Sequence, residues 1–143
     1  MSLYSFVLTT HILTAIGLIV VVIYSDHLGW QWLRGKQQTL NLTTLNRLHH
    51  IIYAGLSIMV TTGLYMFWPL QAYLLYEPAF YVKMGFVGTL IINSFFIGSF
   101  MRKASETPFN LLSKQERVPL YVSGALSTVV WLGTIVAATQ LGL

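Results

Sequence analysis

Cysteine is absent, and acidic residues are scarce, with 4 Asp and Glu among 143 residues. The first absence excludes disulfides, thiolate metal or iron–sulfur sites and thiol catalysis. The second leaves no paired carboxylates within any apolar run. Charge of either sign is thin. Asp, Glu, Lys and Arg together make 8% of the chain, against about 25% in an ordinary soluble domain. A soluble domain could not stay dispersed with so few charges on its surface. No phosphate-binding loop or nucleophile–base set is visible either.

What fills the chain is apolar. Hydrophobic residues make up 55% of it, and the mean hydropathy is +0.67. Spanning about 30 Å of hydrocarbon takes about 20 helical residues. Four segments satisfy this, and they predict transmembrane helices over roughly Tyr4–Tyr24, His49–Pro69, Phe80–Met101 and Val118–Leu141. The expected fold class is all-α: an integral membrane four-helix bundle, forming a single domain over residues 1–143. Continuous rather than alternating hydrophobicity argues against a β-barrel. The first apolar run, Leu3 to Tyr24, has no basic residue before it and is too long for a signal peptide. It reads as a retained span.

The connections set an expected orientation. Arg34, Lys36 and Arg47 fall in the first, and Arg102, Lys103, Lys114 and Arg117 in or beside the third. The second connection and both terminal segments carry no Lys or Arg. By the positive-inside rule, the first and third connections are cytoplasmic and both termini outside. Topology therefore accounts for the net charge of +4, and dispersed basic residues do not form a nucleic-acid stripe. Trp30 and Trp32 fall where an interfacial aromatic belt is expected. Ser113-x-x-Glu116 predicts a capping box opening the last helix, which tolerates Pro119 early in its course. Gly85, Gly88, Ser94-x-x-x-Gly98 and Gly124-x-x-x-Thr128 predict close helix contacts.

Ionisable groups inside a span are costly, about 2.5–3.5 kcal/mol at a helix centre, and so mark functional candidates. Two stand out, His11 and Lys83. At 1.5 Å per residue, His11 lies ~10 Å and Lys83 ~5 Å below the outer helix ends. One shared outer-leaflet site is thus expected, with a snorkelling lysine and a helix-to-helix histidine bond as the plainer alternatives. His27 and the adjacent His49 and His50 form a second group at the cytoplasmic edge. A bundle with embedded histidine and no cysteine suggests haem b. Met59, Met66, Met84 and Met101 raise copper, but their scatter in depth favours core filling.

Several short motifs add to this. His11-Ile12-Leu13 opens the first span, and Asn46-Arg47-Leu48-His49 begins the second, followed by Gly63-Leu64-Tyr65. Phe80-Tyr81-Val82-Lys83-Met84 begins the third, and Glu116-Arg117-Val118-Pro119 the fourth. With these the chain resembles the HemJ-type protoporphyrinogen oxidases and the wider CopD-like membrane family. It departs from that pattern over Val22–His27 and near Ala54. The resemblance implies a bacterial plasma-membrane protein in which His11 and Lys83 are the essential pair at a haem b site. It implies a membrane oxidoreductase acting on a porphyrinogen and passing electrons to quinone. Arg47, His49 and His50 join the cofactor-binding set, with His50 a further candidate ligand for iron beside His11 and Lys83. Alternatives are a haem-bearing electron-transfer or haem-handling subunit without turnover, and a CopD-like copper protein. A homodimer is a further expectation.

Overall fold

The computed structural model describes residues 2–140. They form four long helices, α1 (Leu3–Leu33), α2 (Leu42–Leu74), α3 (Pro78–Glu106) and α4 (Lys114–Gln140), with a 3-10 turn at Phe109–Leu111. No strand occurs among the described residues. Each helix is long and apolar enough to cross a membrane. Ile16, Val20, Ile23, Leu64, Phe95, Phe96, Val129 and Leu132 are all exposed. An apolar exterior suits lipid, where every backbone group must be satisfied within the helix.

The helices outrun the apolar segments that predicted them. Helix α1 continues nine residues past Tyr24 and α2 begins seven residues before His49, so most of the expected first connection is helical. Hydropathy marks only the lipid-immersed part of a helix; local capping decides where it stops. Gly35, at φ +74°, ends α1 in a Schellman motif. Its N–H bonds the Trp32 carbonyl at 3.2 Å, and the Lys36 N–H bonds that of Gln31 at 3.0 Å. Asn41 opens α2, its Oδ1 accepting from the N–H of Thr43 and Thr44. Pro69 does not end α2, which runs on to Leu74. Pro78 opens α3 at the first turn, where its missing N–H costs nothing. At α4 the Ser113 N–H donates to Glu116 Oε2 at 3.2 Å, and the Glu116 N–H to Ser113 Oγ at 3.3 Å, a reciprocal capping box.

Neighbouring helices run antiparallel, with α1 packed closely on α2 and α3 on α4. Contact between α2 and α3 is sparser, and α1 and α4 barely touch. Within the α1–α2 pair a Cβ at Gly55 would collide with Leu18. Within the α3–α4 pair a Cβ at Gly133 would lie 2.6 Å from the Phe86 ring. Ser123 Oγ there donates to Asn93 Oδ1 at 2.8 Å, both residues buried. Of the glycines expected to mark close contacts, Gly98 faces α2, where an added Cβ would lie 3.8 Å from His49 Nε2, whereas Gly85, Gly88 and Gly124 have nothing within 4 Å of an added Cβ.

At the end carrying the basic connections, Trp32, Leu40, Leu45, Ala104, Phe109 and Leu112 form a buried cluster. Trp32 is therefore core, not belt. Its ring meets Phe109 edge-on at 5.2 Å, and its Nε1 donates to the Thr107 carbonyl at 3.0 Å. The Leu40 N–H donates to the Ala104 carbonyl at 2.8 Å. Trp30 is exposed, with the Arg34 guanidinium 5.5 Å from its ring.

Candidate functional site

The gap between the two helix pairs holds two cavities. The smaller, about 330 Å³, lies toward the end remote from the basic connections. The larger, about 520 Å³, lies toward the basic end. Both fall within the range typical of small-molecule sites, about 300–1,000 Å³. They share a wall of Leu56, Leu90 and Trp131.

His11 from α1 and Lys83 from α3 line the smaller cavity together. His11 Nδ1 lies 2.6 Å from Thr62 Oγ1 on α2. The Thr62 oxygen also lies 2.7 Å from the Ile58 carbonyl; in the tautomer where the hydroxyl donates to that carbonyl, it accepts from His11 Nδ1–H and the Nε2 lone pair is available. An orienting partner of this kind is what a metal-ligating imidazole commonly has. Gly63 on α2 lies beside the ring, where an added Cβ would make an ordinary contact, 3.6 Å from His11 Cε1. No acidic side chain lines the cavity, so the Lys83 ammonium faces none there. The remaining lining is apolar and includes Met59, Met66 and Met84.

The residue types would suit one edge of a tetrapyrrole of haem type: His11 a nitrogen ligand, Lys83 a cation for a propionate, and the walls an apolar surface, in a cavity of about 330 Å³ that is smaller than a whole macrocycle.

The other sequence candidates are dispersed. His49 lines the larger cavity, its ring edge-on to Tyr53 at 4.3 Å. His50 is exposed outside both cavities, its Nδ1 donating to the Asn46 carbonyl at 2.7 Å. Arg47 is exposed and lines neither cavity. His27 is exposed and meets Gln31 Nε2 at 3.1 Å. Among the described residues no three His, Cys, Asp or Glu side chains come together as a metal cage. Sequence reasoning passed over Thr62, Asp26, Asn93, Ser123 and Ser127. A search for ionisable groups inside spans misses hydroxyls and amides, although Asn93 within an apolar run was a usable signal. Three of the methionines, Met59, Met66 and Met84, line the cavity of His11, and Met66 is buried as core.

Comparison with protein-family models, with curated proteins and with solved structures found no match.

Proposed function

We propose that the protein is a haem b-binding membrane oxidoreductase of the protoporphyrinogen-oxidase type, acting on a porphyrinogen and passing electrons to lipid-borne quinone. The observation that supports it most is that His11 and Lys83, from different helices, line one apolar cavity. Haem, when bound, supplies one-electron redox chemistry. His11 Nε2 would hold the iron or accept a substrate proton, with Nδ1 turned to Thr62 Oγ1 at 2.6 Å. Lys83 would pair with a propionate and set the macrocycle's orientation. The surrounding Val60, Leu64, Phe67 and Val87 exclude water from the ring. The basic connections face the cytoplasm and the His11 cavity lies in the outer leaflet.

A visible spectrum of the detergent-purified protein, oxidised and then dithionite-reduced, tests this. A haem b band is expected, and it should disappear in His11→Ala. Unchanged haem content in that variant overturns the reading. Haem without porphyrinogen turnover assigns a haem-carrying subunit instead.

One observation favours a second reading. Met59, Met66 and Met84 share the cavity with His11, and thioethers with imidazole suit monovalent copper. That reading expects a bound copper ion that competes with a chromogenic chelator and no Soret band.

A further inference from the structure

Three of the four acidic residues have plain places at helix ends. Glu77 is the N-cap of α3, Glu106 is the last residue of that helix, and Glu116 closes the capping box of α4. Asp26 is different. It sits in the body of α1, seven residues before Leu33, where it caps nothing and where aspartate is a poor helix former. It does line the larger cavity, as the one acid there. No Lys or Arg lines that cavity with it, and His49 is the one lining group able to take up a positive charge.

The walls match this charge with aromatic rings. Trp30, four residues after Asp26, shares its face of α1, and both residues are exposed, so they stand where the cavity opens. Arg34 is turned to the Trp30 ring at 5.5 Å and lines no part of the cavity. Trp32, Tyr121 and Trp131 add further rings. Farthest from the basic end is the apolar wall of Leu56, Leu90 and Trp131. The smaller cavity, beyond that wall, has the opposite sign, with Lys83 and no acid.

We propose that the larger cavity binds a lipophilic organic cation, an amine or quaternary ammonium compound with an apolar body, with Asp26 as its counter-ion. The carboxylate selects positive charge, and indole and phenol rings attract a cation to their faces. The apolar inner wall selects an apolar body, so the charged head lies at Asp26 and the body points toward Trp131. A bare divalent ion would want about six oxygen ligands, and among the described residues no three His, Cys, Asp or Glu side chains come together. The volume, about 520 Å³, is that of a small-molecule site. The inference stands on this cavity alone and does not depend on the His11 site.

The test is equilibrium dialysis of radiolabelled tetraphenylphosphonium against the detergent-purified full chain at pH 8, where an ordinary imidazole is neutral. Saturation near one equivalent is expected above the background of protein-free micelles. Methyltriphenylphosphonium should displace the label, and triphenylphosphine oxide, of nearly the same shape but uncharged, should not. Asp26→Asn should weaken binding about tenfold or more, while Asp26→Glu keeps most of it. Glu106→Gln removes the same charge at the basic end but outside the cavity, and should bind as the parent does. Binding that never saturates, an oxide that competes as well as the phosphonium, or Asp26→Asn and Glu106→Gln alike in their effect overturns the proposal. The competition needs no variant, so it decides even where Asp26→Asn folds poorly. The measurement needs no haem and reads out equally in His11→Ala.

Discussion

At the scale of single residues, the decisive feature is the chain of bonds from His11 to Thr62 to the Ile58 carbonyl. Thr62→Val keeps the shape and removes the acceptor. The imidazole then loses its hydrogen-bond partner and its orientation. Affinity for added haemin, followed by its absorbance, should fall roughly 10–100-fold, the usual cost of losing such a partner. Lys83→Met separates function from stability. It removes an ammonium from a span, where charge is costly, so the melting temperature should hold or rise while affinity for a dicarboxylate porphyrin drops. A lysine that merely reached for the interface would leave porphyrin affinity untouched. His11 and Lys83 were legible because charge inside an apolar run is conspicuous. Thr62 was not, since hydroxyls are common in membrane helices and its role depends on the rotation of α2 against α1.

Elements were legible in type and number, and less so in extent. Four apolar runs announced four helices, and Ser113 with Glu116 announced the start of α4. The ends of α1 and α2 escaped because Gly35 and Asn41 act through local geometry that hydropathy does not register. Glycine was the most misleading signal. It tells that a helix could approach a neighbour closely but not on which side. The distinction is measurable. Gly133→Ala sets a methyl against Phe86 and should destabilise the α3–α4 pair, while Gly133→Ala with Phe86→Leu should recover most of the loss. Gly85→Ala and Gly88→Ala meet open space and should be neutral or stabilising by up to about 1 kcal/mol, reflecting glycine's poor helix propensity. Thermal melts in one detergent compare all four.

On the scale of the whole molecule, the bundle is two helical hairpins with a gap between them. The connection joining them is short, Leu75–Glu77, and Tyr76 in it is 87% exposed. Each hairpin carries its own close contacts, Leu18 on Gly55 in one and Phe86 on Gly133 in the other. Co-expression of residues 1–75 with residues 76–143 should therefore reassemble a complex that co-purifies through a tag on one half. Failure of the halves to associate would mean that the covalent link, rather than the packing, keeps the hairpins together. None of this pairing was visible in the sequence, which gives the order of helices but not which interfaces are tight.

The cluster built around Trp32 holds the hairpins together at the basic end. At the other end the Leu75–Glu77 link and the stacked rings of Phe67 and Phe80, 5.4 Å apart, tie α2 to α3. The loose edge is the one between α1 and α4, which barely touch. The molecule is thus hinged like a book along α2 and α3. A greasy guest for the His11 cavity would slip in sideways from the bilayer. Its effective concentration is then its solubility in lipid, not in water, and a tightly held guest would leave no faster than the pages part.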